Sequence, residues 1–205
     1  MPEVFLVSRN PKKLAEMQRI LGEHAPGLTV CGLADVEPYD EPVEDAPDFA
    51  GNAMLKARAG LAATGLPSLA DDSGLCVDAL NQMPGVLSAR WAGEPRSDER
   101  NNALLLAQLA DVPDERRRAH FACAVAFCHP DGTELLVHGR MPGRVIRETR
   151  GSGGFGYDAL FVADDHGDGP ELTTAEVDAV EKDRISHRGR ALREIAPEVA
   201  TVLGR

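Results

Sequence analysis

VFLVSRNPKKLAEM, residues 4–17, is the stretch on which the fold class turns. VFLVS (4–8) is an apolar run of strand length. Asn10 is an N-cap residue type and Pro11 has the fixed φ of a first helical residue, so a helix is predicted over roughly 10–22. The junction between them carries an anomaly. The first turn of a helix bears a partial positive charge and favours Asp or Glu. Here it holds Lys12 and Lys13, with Arg9 just before the cap.

Outward from this stretch, LTVCGLA (28–34) reads as a second strand, and DVEPYDEPVEDAPD (35–48) as an acidic, proline-bearing loop too polar for a core. A helix is predicted from about Phe49 to Thr64, with apolar spacing at Ala53, Leu55, Ala57, Leu61 and Ala62. LPSLA (66–70) is a short strand ending in Asp71-Asp72-Ser73-Gly74, and LCVDAL (75–80) resumes it. Residues 97–109 read as a helix capped by Ser97. HFACAVAFC and TELLVHGR flank a Pro-Asp-Gly turn and predict a hairpin. GSGGFGYD (151–158) is a glycine-rich loop before a strand ALFVA. Thr173 and Glu176 have capping-box spacing for a short helix, and Ser186 caps a last helix to about 203 with a break at Pro197. Strands and helices alternate and a hairpin intervenes, so the fold is read as α/β with a mixed sheet.

The 205 residues suffice for one sizeable core. No apolar run is long enough to span a membrane and no signal segment is recognisable, so the expected location is cytoplasmic. Cys31, Cys76, Cys123 and Cys128 form no metal-type spacing and read as buried reduced thiols. A net charge of −11 argues against a broad nucleic-acid or membrane surface but leaves room for a small anion in a local cationic pocket. The basic residues are 18 Arg and only four Lys (Lys12, Lys13, Lys56 and Lys182), so each Lys marks a position that wants a compact ammonium.

The last predicted helix repeats the opening anomaly, since Ser186-His187-Arg188 puts two cations in a first turn, with Lys182 and Arg184 upstream. Two such junctions suggest an anion held by side chains and helix N–H groups together; the bland alternative is solvated residues tolerated at small cost. Asp71 and Asp72 at a strand end suit metal or general-base work, with one of them facing the site, because adjacent strand residues point to opposite sides. The alternative is an Asx-type turn. In GSGGFGYD, Phe155 suits stacking on a planar ring and Asp158 suits accepting from ring or sugar donors; the alternative is a connecting loop whose aromatics pack inward. Its GxGxxG spacing leads into a strand, which excludes a Rossmann reading. His24, His120, His129, His138 and His166 do not converge on a zinc pattern.

Taken in order, SRNPKK, FAGNAMLKA, LADDSGLCVDAL, MPGVLSARWAG, GSGGFGYDALF and ISHRGRAL resemble the inosine triphosphate pyrophosphatase-like family, the dITP/XTP pyrophosphatases, over about residues 4–203. The resemblance implies one domain over 1–205: an elongated mixed β-sheet flanked by helices, in two lobes with a central active-site cleft, assembled as a homodimer. It implies hydrolysis of the non-standard purine nucleoside triphosphates ITP, dITP and XTP to the monophosphate and pyrophosphate with Mg²⁺. By motif, Ser8, Arg9, Asn10, Pro11, Lys12 and Lys13 would bind triphosphate. Asp72 would be the proton acceptor and a metal ligand, with Glu44 or Asp45 as the second carboxylate, and Glu44 is the assignment adopted. Ser73, Phe155, Gly156, Tyr157, Asp158, Lys182, His187 and Arg188 would hold the nucleotide, the last two facing its 6-keto oxygen. The chain departs from the family in having Ser8-Arg9 for Thr-Gly and Gly51 for the Glu of F-x-E-N-A. Two rivals stand beside this reading: a purine-nucleotide sensor without turnover, and a phosphomonoesterase with an aspartyl nucleophile, whose D-x-D spacing is absent.

Overall fold

A computed structural model describes residues 3–24, 26–165 and 170–204; His166 lies outside the described residues. The elements in chain order are β1 (Glu3–Leu6), α1 (Pro11–His24), β2 (Thr29–Cys31), α2 (Phe49–Thr64), β3 (Ser68–Val77), α3 (Asp98–Gln108), β4 (Arg118–Cys128), β5 (Glu134–Val145), β6 (Phe161–Ala163), α4 (Ala179–Ile185) and α5 (His187–Leu203). One six-stranded sheet has the order β2-β1-β3-β4-β5-β6. β1 pairs parallel with β2 and with β3, whereas β5 pairs antiparallel with β6, so the sheet is mixed as the alternation of elements predicts. None of the described helices is long and apolar enough to cross a membrane.

The chain divides into two compact units, the first comprising Met1–Asp72, Cys123–Gly139 and His187–Arg205, the second Ser73–Ala122 and Arg140–Ser186. In the first unit the period-2 alternation of strands sorts the core into two faces. Val4, Leu6, Leu69, Cys123, Val125 and Phe127 pack with α1 and α5. Phe5, Val7, Ala70, Ala124 and Ala126 pack with Ala53 and Ala57 of α2. Close approach needs small residues: a Cβ on Gly60 of α2 would lie 2.6 Å from Val7 Cγ2, and one on Gly139 of β5 only 1.8 Å from the His187 carbonyl oxygen. Gly139 thus sets how near the start of α5 comes to the sheet. The second unit has its own core, including Leu75, Leu105, Phe121, Leu160 and Phe161, where the Phe121 and Phe161 rings meet edge-on at 4.7 Å. All four cysteines are free and buried.

Four expectations are corrected. The predicted strand over 28–34 is only Thr29–Cys31. The two strands predicted over 66–80, and the alternative Asx turn between them, resolve as one strand, β3 (Ser68–Val77), with Asp71 through Gly74 inside it, and Asp78–Leu80 form a short 3-10 helix. Tertiary partners on both faces satisfy the acids, so they have no need to cap a turn. Thr173 and Glu176 form half a capping box. Glu176 accepts from the Thr173 N–H at 2.8 Å, but the Thr173 hydroxyl donates to the Arg150 carbonyl at 2.9 Å, and no helix starts there. The helix begins instead at Ala179, capped by Asp178. Finally, α5 runs through Pro197; buried Ile195, Ala196, Val199 and Val202 hold it on both sides of the proline.

Candidate active site

The basic junction at the start of α1 is built as its sequence suggests. Asn10 Oδ1 accepts from the Lys12 and Lys13 N–H groups at 3.0 and 3.3 Å, and Ser8 Oγ accepts from the Asn10 N–H at 3.2 Å. Arg9 and Lys12 are exposed at this helix start, and Arg9 pairs with Glu41 of the acidic loop. Lys13 turns inward to Asp71, its Nζ 3.2 and 3.0 Å from the two carboxylate oxygens.

Adjacent positions on β3 send two acids to opposite faces. Leu69 belongs to the α1/α5 face and Ala70 to the α2 face, so Asp71 meets α1 and α5 and Asp72 meets α2. Asp71 is 2% exposed and also accepts from Arg188 Nε at 3.1 Å; Arg188 Nη1 reaches Glu16 Oε2 at 2.5 Å. Burial pushes the Asp71 carboxyl upward, but Lys13, Arg188 and Lys56 outweigh it and hold the group well below the usual carboxylate range. Burial likewise works against the Arg188 cation, and Asp71 and Glu16 more than offset it. The two cationic helix starts therefore converge on one carboxylate.

Asp72 has the opposite electrostatics. Burial raises its proton affinity and Glu44 adds to this; Lys56 and the Asn52 hydrogen bond only partly oppose them. Asn52 Nδ2 donates to Asp72 Oδ2 at 3.0 Å. Lys56 Nζ lies 3.6 Å from Asp72 Oδ1 and 3.0 Å from Glu44 Oε1. Of the two acidic-loop candidates, Glu44 is thus drawn to the same ammonium as Asp72, while Asp45 is exposed. Glu44 and Asp72 supply hard oxygen donors, a set that fits a small divalent cation drawing its other ligands from water and phosphate. Among the described residues no group of three or more His, Cys, Asp or Glu is placed to cage a metal.

In the second unit the glycine-rich loop is organised around Asp158. This carboxylate is 5% exposed and accepts from the Phe155 N–H at 2.8 Å, from Thr174 Oγ1 at 2.8 Å and from Lys182 Nζ at 2.5 Å. Lys182 Nζ also lies 5.3 Å from the centroid of the half-buried Phe155 ring. Gly154 has φ +67°, and a Cβ there would meet Asp158 Oδ2 at 2.1 Å, so only glycine lets the loop close on this acid. The Gly156 N–H donates to Asp98, and its carbonyl accepts from Asn102 at 3.0 Å. Tyr157 packs inward and donates its hydroxyl to the Ser88 carbonyl at 2.9 Å; burial raises its phenol, with Asp98 adding to the effect. Of this loop's aromatics, Phe155 keeps an accessible face. Ser73 is half-buried beside Gly74, whose missing Cβ admits the Gly85 carbonyl and Ser88 hydroxyl.

Sequence reasoning singled out Asp72 and Lys13 but assigned no role to Glu16, Asn52, Lys56 or the Asp71 pairing. Lys56 carried a signal in the scarcity of lysine, and in the structure Lys13, Lys56 and Lys182 each meet a buried acid. Glu16 lies one helical turn beyond Lys13, but nothing in its spacing names Arg188 as its partner. Arg188, expected to face a base, is 2% exposed between two carboxylates. His187, beside it, is 8% exposed.

The chain is similar to known proteins over nearly its full length. The dITP/XTP pyrophosphatase of Nocardia farcinica is 55% identical over 206 residues, covering 100% of this chain and 98% of the relative. That of Corynebacterium efficiens is 50% identical, covering 99% of this chain and 100% of the relative. The crystal structure of a nucleoside-triphosphatase / dITP/XTP pyrophosphatase from Mycobacterium abscessus superposes with a TM-score of 0.76 at 51% identity, covering 95% of this chain and 99% of that one. The Staphylococcus aureus Ham1 protein superposes at 0.84 with 33% identity, covering 98% and 99%. The Ham1 family model matches residues 4–198. Agreement over nearly the full length, in sequence and in fold, means that this chain belongs to the Ham1 family.

Proposed function

We propose that the protein hydrolyses non-standard purine nucleoside triphosphates (ITP, dITP and XTP) at the α-phosphorus, yielding the nucleoside monophosphate and pyrophosphate. The observation that carries the reading is the split of adjacent strand acids. Asp71 is paired with Lys13 and Arg188 on the α1/α5 face, while Asp72, on the α2 face, meets Asn52 and shares Lys56 with Glu44. The acid committed to two cations positions them; its neighbour is left to orient water and accept its proton.

The substrate carries about four negative charges, so the demand on the protein is positioning and charge stabilisation rather than covalent chemistry. Lys13, Lys12, Arg9 and the N–H groups at the start of α1 take the triphosphate, which is why a positive helix terminus carries further cations. Ser8 and Asn10 shape this turn, and Pro11 starts the helix without a donor to lose. Asp72 orients the attacking water and takes its proton. Glu44 and Asp72 would hold Mg²⁺, which when bound neutralises phosphate charge. Ser73 contacts the nucleotide. Phe155 stacks on the purine, and the Gly156–Asp158 turn, tied to Lys182, holds the loop in that pose. His187 donates to the 6-keto oxygen of hypoxanthine or xanthine. Adenine presents an amino group there, and such a mismatch of donors reaches roughly 10⁴-fold discrimination in sites built on hydrogen bonds. Arg188 acts one step back, by fixing Asp71 and Glu16.

The test is product identification with ITP, dITP, XTP, GTP and ATP in the presence of Mg²⁺. Inosine monophosphate and pyrophosphate in equal amounts support the proposal; orthophosphate as the product, or binding without turnover, overturns it. A homodimer in the cytoplasm completes the reading, supported by the family resemblance and by the four free thiols. Light scattering on the purified protein tests the assembly.

A further inference from the structure

Asn52 enters the reading above only as a neighbour of Asp72, yet it is 0% exposed and uses both ends of its amide. Its Oδ1 accepts from the Ala46 backbone N–H at 3.0 Å and its Nδ2 donates to Asp72 Oδ2 at 3.0 Å. The partners fix the orientation of the amide: a backbone N–H can only donate and a carboxylate can only accept. No other side chain of this shape serves both. Aspartate would set carboxylate against carboxylate, and leucine would leave a buried donor and a buried acceptor unpaired.

The same corner holds a second peculiarity of the chain. Gly51 stands where the family resemblance has Glu. A Cβ at Gly51 would lie 2.6 Å from Ala46 Cβ, so the acidic loop rests directly on the first turn of α2. Asp48 caps that turn, accepting from the Gly51 N–H at 2.8 Å. The segment 46–48 is therefore attached to α2 by a cap, by a bare glycine contact and by the Asn52 amide. Two residues upstream is Glu44, whose carboxylate shares Lys56 with Asp72. Lys56 itself is one helical turn beyond Asn52.

We propose that Asn52 is the positioning residue of the hydrolytic centre. It holds Asp72 by Oδ2, so that Oδ1, 3.6 Å from the Lys56 ammonium, is the oxygen presented for chemistry, and with the same amide it fixes the acidic loop at Ala46 and so places Glu44. Gly51 is the seat that lets the loop come close enough. The inference rests on the reading of Asp72 and Glu44 as hydrolytic residues, but its structural half is measurable apart from any activity.

The experiment uses the full chain and two variants, Asn52→Ala and Gly51→Ala, followed by amide hydrogen exchange and by steady-state kinetics with ITP and Mg²⁺. In Asn52→Ala, protection of the Ala46 amide is lost and kcat falls on the order of 10- to 100-fold, the range typical of residues that orient a ligand or a base, while KM changes less than about threefold. Gly51→Ala keeps the Asn52–Asp72 bond and gains helix propensity, but its Cβ would lie 2.6 Å from Ala46 Cβ, so the loop must shift and Tm falls modestly. With the loop displaced, it loses both Ala46 protection and kcat. A merely structural role for Asn52 predicts a lowered Tm with unchanged kcat in the folded fraction, and that result overturns the proposal. So does wild-type exchange at Ala46 in Asn52→Ala. If that variant does not fold, Gly51→Ala decides alone: loss of protection together with kcat supports the proposal, and retention of either overturns it. If the wild-type chain does not turn over ITP, the proposed function fails, while exchange at Ala46 still decides whether Asn52 ties the loop.

Discussion

Replacing Arg188 with alanine removes a guanidinium that is 2% exposed from between two acids, Asp71 at 2% and Glu16 at 5% exposure. Taking one partner out of a buried ion pair typically costs about 3–5 kcal/mol, because the remaining charge stays desolvated. Asp71 keeps Lys13 at 3.0 and 3.2 Å, which places the expected loss at the lower end, about 3 kcal/mol. For a chain of this size that corresponds to a fall in Tm of roughly 6–12 °C. Urea denaturation of wild type and Arg188→Ala between pH 3 and 8 reads both the size and the sign. In the wild type the folded Asp71 carboxyl is held below its unfolded value, near 4. Its contribution is thus fully present above that pH and is lost as pH falls toward the folded value. In the variant the depression shrinks, so the two stability curves converge on acidification. Glu16→Gln added to Arg188→Ala removes one of the stranded charges and recovers part of the loss. A deficit under about 1 kcal/mol, or one that does not change with pH, would refute the buried-charge account.

Three other outcomes follow from the same physics. Asp72→Asn keeps the Asn52 contact region but cannot accept a proton; ITP turnover is expected to fall about 10²- to 10⁴-fold with nucleotide affinity retained by titration calorimetry. Gly139→Ala sets a Cβ 1.8 Å from the His187 carbonyl oxygen, a backbone atom that no rotamer change relieves; a loss of about 3 kcal/mol or more is expected by thermal melting. Arg117 is buried and donates to the carbonyls of Val145, Leu109 and Ile146 at 2.9, 2.6 and 3.0 Å. Arg117→Ala strips three acceptors at once and should cost at least about 3 kcal/mol in urea denaturation, with ITP specificity unchanged.

Local rules carried the reading furthest where one segment decides its own structure. Asn10 and Pro11 start a helix because a cap and a fixed φ act within one turn, and the helix over 49–64 follows from its apolar spacing. They failed where distant residues decide. Asp71 through Gly74 looked like a turn because acids and glycine usually satisfy backbone groups locally; Lys13, Arg188, Asn52 and Lys56, far away in the chain, satisfy these acids instead. Pro197 looked like a break because its ring removes one helical hydrogen bond, a cost outweighed by the buried residues on either side of it.

The sequence by itself determined the α/β class, the two basic helix starts, the hairpin and, through six ordered motifs, the family. Tertiary structure alone decided what the charges do. A linear pattern shows that Asp71 and Asp72 point to opposite sides of a strand, but not which cations wait on each side. Proton affinity depends on burial and on neighbours a few ångströms away, and those neighbours come from α1, α2 and α5 only once the sheet has brought them together.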